Sequence, residues 1–211
     1  MEARPPGQVV ILNGTPRSGK SSIAAVIQET FDGPWMSLGA DTAILAMTPP
    51  RYRPGIGLRP GGERPDLEEF VVRACAALFD SIAAHSRQGL NVVADLGLHD
   101  DYSEPRGIAV DGARRLAGLP VLFVGVRCPL DVIMQRRDAG QPGREQSYAR
   151  SGPGGEVPSP VLRWQDAVHR LGPYDLEVDT SLLTPEECAA AIRARLDTGP
   201  PGTAFHALAA G

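Results

Sequence analysis

Lysine is almost missing from this chain: of its 21 lysine and arginine residues, Lys20 is the one lysine. A guanine-reading Asn-Lys-x-Asp motif therefore has no lysine to use, which excludes a GTPase-type switch. Long apolar runs are also missing, and none approaches the roughly 20 residues that a membrane span needs. The opening Met-Glu-Ala-Arg-Pro-Pro lacks the apolar core of a signal peptide. Cysteine is sparse: Cys75, Cys128 and Cys188 are odd in number, far apart and without metal-ligand spacing. They read as buried thiols in a reducing compartment, and the expected location is the cytoplasm. Positive charge is not in excess either. A formal net charge of -4 gives neither a nucleic acid nor an anionic membrane any attraction to the chain.

What is present begins at Val9. The apolar run Val9–Leu12 reads as a buried strand, and Gly14-Thr15-Pro16-Arg17-Ser18-Gly19-Lys20-Ser21 then matches G-x-x-x-x-G-K-[ST]. Ser22 to Phe31 follows with apolar residues at helical spacing and no breaker, so strand, loop and helix come in the order of a P-loop. Each residue type has a physical reason. The glycines let the backbone curl its N–H groups inward around phosphate oxygens. The helix adds the partial positive charge of its N-terminus. Lys20 supplies a mobile charge for the β- and γ-phosphates, and the Ser21 hydroxyl is a hard oxygen ligand suited to Mg²⁺. Residues Gly14 to Ser22 are thus the candidate nucleotide-binding set, and the cofactors expected are ATP and Mg²⁺. In a chain so biased toward arginine, lysine still stands at the one position where the motif requires it.

Beyond the loop, strand and helix patterns alternate. Trp35–Leu38 is a short strand, Asp66–Arg87 a helix, and Leu90–Asp95 a strand. A helix over 106–117, a strand over Pro120–Arg127 and a helix from Pro129 to about Asp138 come next. Val161–Leu171 reads as helix, Tyr174–Asp179 as strand, and Thr184-Pro-Glu-Glu opens a capped helix reaching Leu196. This predicts about five parallel strands covered on both faces, a doubly wound α/β fold in one kinase-type domain over 1–196. Segments 48–65, with five prolines and four glycines, and 138–159 interrupt the pattern and read as lids. The Gly/Pro/Ala-rich tail, 197–211, is expected to fray. No internal repeat is visible.

In such a sheet, ligands sit beyond the carboxyl ends of the strands, which selects the P-loop, Asp41, Asp95 and Arg127. Asp95 either caps the next turn or holds Mg²⁺. Asp41 is a helix cap, a base for an attacking hydroxyl, or both. Arg136, Arg137, Arg144 and Arg150 lie on or near the second lid, where an arginine can stabilise a transferring phosphoryl group. With no second Walker-type repeat and no ABC-type signature, the length suits a kinase of a small hydroxylated acceptor. Self-association is left open.

These stretches together resemble the chloramphenicol phosphotransferase-like family. The likeness runs from Val10-Ile-Leu-Asn-Gly-Thr-Pro-Arg-Ser-Gly-Lys-Ser21, through Trp35 with Leu38-Gly-Ala-Asp-Thr-Ala-Ile-Leu-Ala-Met47, to Gly89-Leu-Asn-Val-Val-Ala-Asp95. It continues at Phe123-Val-Gly-Val-Arg-Cys128, at Val168-His169 and at Tyr174–Thr180, covering about residues 7 to 195. The resemblance implies a fold like that of shikimate and nucleotide kinases, and transfer of the γ-phosphoryl of ATP to a hydroxyl of an antibiotic such as chloramphenicol. It implies Asp41 as catalytic base, Lys20 and Ser21 on phosphate and metal, and Arg136 or Arg137 on the nucleotide. The acceptor would lie over Asp41 under segment 48–65, which shares little with the family beyond its glycines.

Overall fold

The strand Val9–Asn13 (β1) is buried at every position because helices cover both its faces. Side chains alternate along a strand, so Val9 and Ile11 enter one core and Val10 and Leu12 the other. The computed structural model describes residues 5–53, 58–140 and 149–210. In it β1 pairs in parallel with Asn91–Leu96 (β3) on one side and Val121–Arg127 (β4) on the other. Trp35–Ser37 (β2) joins outside β3, and Leu176–Asp179 (β5) outside β4. The result is a five-stranded parallel sheet in the order β2-β3-β1-β4-β5, the doubly wound arrangement expected from the alternation.

Lys20–Thr30 (α1) and Pro185–Thr198 (α6) cover one face through Ile23, Ile27, Cys188 and Ile192. Pro65–Arg87 (α2) and Ile108–Arg115 (α3) cover the other through Val71, Phe79, Ile82 and Ala113. Leu130–Asp138 (α4) and Ser159–Ala167 (α5) meet in a smaller cluster of Cys128, Ile133, Met134 and Val161. The start of α6 is a capping box, with the Thr184 hydroxyl accepting from the Glu187 N–H and the Glu187 carboxylate from the Thr184 N–H. Several expected boundaries move. Residues 106–107 stand outside α3, whose entry is Gly107 at φ 63. The helix expected over Val161–Leu171 starts and ends earlier, its last turns loosening before Gly172 and Pro173. Pro129 occupies the cap of α4 rather than its first turn. Of the proposed lids, residues 54–57 and 141–148 lie outside the described residues, Arg144 among them.

The tail corrects its reading. Composition suggested fraying, but Ala204–Ala207 (α7) is docked on the α2 side of the sheet. Phe205 is fully buried, its ring centroid 5.1 Å from Phe123 and 6.0 Å from Phe79. The Asp175 carboxylate accepts from the Thr203 and Ala204 N–H groups at 2.8 and 3.0 Å. One aromatic anchor outweighs the flexible residues around it.

Candidate active site

The loop after β1 is tight for identifiable reasons. A Cβ on Gly14 would stand 2.5 Å from the Val126 carbonyl oxygen, a distance no real side chain tolerates. Gly19 sits at φ 97, in the left-handed region that glycine adopts without strain. Lys20 is buried and folds back along the loop, its Nζ donating to the carbonyls of Gly14 and Thr15 at 2.9 Å each. The same Nζ lies 3.5 Å from Asp95 Oδ1. The Ser21 hydroxyl donates to Asp95 Oδ2 at 2.5 Å. Residues 74 positions apart meet because β3 neighbours β1 in a register that pairs Leu12 with Asp95. Two hard oxygen donors side by side suit Mg²⁺. The described residues hold no group of three or more histidine, cysteine, aspartate or glutamate side chains able to hold a metal ion, and Mg²⁺ bound beside phosphates commonly keeps water and phosphate oxygens as its other ligands.

Asp41 arrives from the other side. The cap reading does not hold, because Ala40 occupies the cap position and Asp41 is the first residue of a wide π-helical turn, Asp41–Ala46. Gly39 lets this segment cross close to β3, since a Cβ there would be 3.0 Å from the Asp95 carbonyl oxygen. A cavity of about 930 Å³ results, lined by Lys20, Ser21, Asp41, Asp95 and Arg137 together with Gly14, Pro16 and Arg17. Thr15, Ser18, Gly19 and Ser22 build the loop without lining the cavity.

The arginines separate by position. Arg137 is buried at the cavity and donates weakly to the carbonyls of Ala149 and Pro16, at 3.4 and 3.5 Å. Arg136 does not line it. Its guanidinium donates to the Thr180 hydroxyl at 3.0 Å and the Thr180 carbonyl at 2.7 Å, while the Thr180 hydroxyl donates to the Ser18 carbonyl at 2.7 Å. Arg136 thus braces the phosphate loop from outside. Arg17 donates to the Arg136 carbonyl and to that of Gly140, the latter at 3.0 Å. Arg150 is exposed away from the cavity, and Arg127 is engaged by Glu177 at 2.6 Å.

Sequence reasoning missed one wall of the site. Leu58, His99, Tyr102 and Trp164 line the cavity beyond the end of β3. His99 is buried, stacked on Tyr102 with centroids 4.4 Å apart and edge-on to Trp164 at 5.1 Å. Its Nδ1 accepts from the Asp101 N–H at 3.2 Å, so Nε2 carries the hydrogen and donates to the Leu58 carbonyl at 3.0 Å. The placement of His99 just past a strand end was the available signal, but an acidic loop masked it. That loop is pinned by Glu68, fully buried, which accepts from the Ser103 N–H and hydroxyl and from Arg106. Burial works to raise the Glu68 pKa, and these hydrogen bonds outweigh it, leaving the carboxyl below its ordinary value. Asn13 fastens the wall to β1, accepting from the Leu98 N–H at 2.6 Å and donating to the Val168 carbonyl at 2.9 Å.

Burial also holds His99 below the usual imidazole range. A depressed histidine contributes stability above its unfolded value, near 6.5, and loses it as pH falls through the folded value. Melting temperature should therefore drop on acidification from neutral pH. The His99→Asn variant should show a smaller drop over the interval just below 6.5, read by calorimetry at a series of pH values.

A family model described as chloramphenicol phosphotransferase-like protein matches residues 7–197. The chain belongs to the chloramphenicol phosphotransferase-like family. It is a phosphotransferase acting on a hydroxyl group. Among curated relatives, a Mycobacterium tuberculosis (strain H37Rv) protein provisionally named O-phosphotransferase Rv2636 is 28% identical over 224 residues, covering 99% of this chain and 90% of its own. Solved structures share the fold at low identity. The M. tuberculosis APS kinase CysC in complex with AMPPNP and APS aligns at TM-score 0.56 and 17% identity, over 92% of this chain and 100% of its own. Shikimate kinase from Acinetobacter baumannii in complex with shikimate aligns at 0.58 and 13%, over 92% and 94%. No helix among the described residues is long and apolar enough to cross a membrane.

Proposed function

We propose that this family member moves the γ-phosphoryl group of ATP to a hydroxyl of a small acceptor, with Asp41 as general base. The observation that carries the reading is the sharing of one cavity by the Asp41 carboxylate and the Lys20–Ser21–Asp95 group. Nucleotide phosphates would replace the Gly14 and Thr15 carbonyls as partners of Lys20 and occupy the curl of loop N–H groups. Ser21 and Asp95 would hold Mg²⁺, which when bound neutralises charge on the phosphates. Arg137, buried at the cavity edge, is the lid arginine best placed to stabilise the transferring group. Arg136 supports the loop that positions it.

The step is a displacement at the γ-phosphorus. The acceptor oxygen forms the new P–O bond, the bond to the β–γ bridging oxygen breaks, and ADP leaves. The hydroxyl proton passes to the Asp41 carboxylate. Positioning and charge stabilisation supply most of the acceleration. Chloramphenicol offers the hydroxyl and an aromatic face for the Tyr102 and Trp164 wall, and its support is the family likeness. A kinase of another hydroxylated metabolite uses the same machinery.

ADP release measured across a panel of hydroxylated compounds, chloramphenicol included, tests this reading. ADP should accumulate only with particular acceptors and only with Mg²⁺ present. Tight ATP binding with no acceptor dependence anywhere would instead indicate a regulatory nucleotide binder.

A further inference from the structure

We propose that the acceptor carries an anionic group, carboxylate or phosphate, which Arg59 and Arg53 take up. The inference rests on the phosphotransfer reading and names the acceptor class for that same cavity. Among the described residues, five cationic side chains line the cavity, Arg17, Lys20, Arg53, Arg59 and Arg137, against the two carboxylates Asp41 and Asp95. Three of the five are spoken for on the nucleotide side. Lys20 is bound to the phosphate loop and Asp95, Arg17 reaches from that loop to carbonyls at the end of α4, and Arg137 donates to Pro16 within the loop.

Arg53 and Arg59 differ. Arg53 donates only its Nε, to the Thr48 carbonyl at 3.0 Å, among the described residues. Arg59 is half-buried and makes no hydrogen bond or ion pair among the described residues. It follows Leu58, whose carbonyl is fixed by His99, and Gly61 is fixed in turn by donation from its N–H to the Asp101 carbonyl at 2.7 Å. Arg59 therefore sits in a segment anchored on both sides to the loop after β3, and it lines the same cavity as Tyr102 and Trp164. A partly desolvated guanidinium without a partner is unfavourable. Its planar fork of donors matches the two oxygens of a carboxylate or phosphate. An acceptor with a hydroxyl toward Asp41, a flat apolar body against Trp164 and an anionic group at Arg59 satisfies every group on that wall. Chloramphenicol, which is uncharged, supplies no anionic partner to either arginine.

Calorimetric titration of the ADP-bound protein with matched probes tests this independently of turnover. The probes are para-(hydroxymethyl)benzoate, para-(hydroxymethyl)phenyl phosphate, the neutral para-(hydroxymethyl)benzamide, and chloramphenicol. At least one anionic probe should bind about a hundredfold tighter than the amide, the span of charge-assisted hydrogen bonds. Arg59→Met should abolish that preference and Arg59→Lys keep part of it, with ADP affinity unchanged in both; Arg53→Met should weaken it less. Equal binding of amide and anion, no binding of either anionic probe, or an Arg59→Met variant that loses ADP affinity instead, each overturns the proposal. Anion preference without phosphoryl transfer to any acceptor would leave the charge assignment standing and remove the kinase reading.

Discussion

The Asp41→Asn variant should turn over about a thousandfold more slowly than the parent while binding ATP as tightly, the scale expected for loss of a general base. The separation follows from where Asp41 stands. It comes from the turn after β2, whereas Lys20 and Ser21 come from the loop after β1, and the two meet only across the cavity. Asn keeps the size and a hydrogen-bonding oxygen but cannot take up the hydroxyl proton. Ala40 holds the cap position, so the substitution removes no helix cap and the turn should persist. Steady-state rates and ATP titration on the same preparation read both quantities. Turnover within about tenfold of the parent would assign the proton to another group.

The second large effect is on stability. Phe205→Ala should cost about 3–4 kcal/mol, because a fully buried aromatic leaves a cavity between Phe79 and Phe123 that the sheet cannot close. For a chain of this size that corresponds to a fall of roughly 10 °C in melting temperature. Deleting residues 199–211 should do at least as much, since Asp175 also loses the Thr203 and Ala204 N–H groups. Leu208→Ala, only partly buried, is the control and should move the transition far less. Unchanged melting after Phe205→Ala would mean that the tail does not dock.

The sheet was legible because both-sided burial leaves an unbroken apolar run, as in Val9–Leu12 and Val121–Val126, and because Gly14, Gly19 and Lys20 obey a spacing with one physical purpose. Asp95 was legible for the same reason, standing at the end of such a run. Long-range pairing was not. Nothing near Arg136 in the sequence says that its partner is Thr180, so a lid arginine and a brace look alike there. The wall of His99, Tyr102 and Trp164 joins segments more than 60 residues apart through ring contacts, which leave no periodic trace. Phe205 was hidden by its neighbours, whose composition signals flexibility while a single ring sets the outcome.

Transfer of a phosphoryl group from ATP to an acceptor hydroxyl inside this cavity leaves a product that can be weighed. Mass spectrometry of the acceptor pool after incubation with ATP and Mg²⁺ reads it, with the parent protein and Asp41→Asn run side by side. The expected result is an acceptor heavier by one phosphoryl group, formed together with ADP and absent from the Asp41→Asn reaction. An acceptor pool that stays unmodified while ATP is bound, or a product that forms equally with Asp41→Asn, would contradict it.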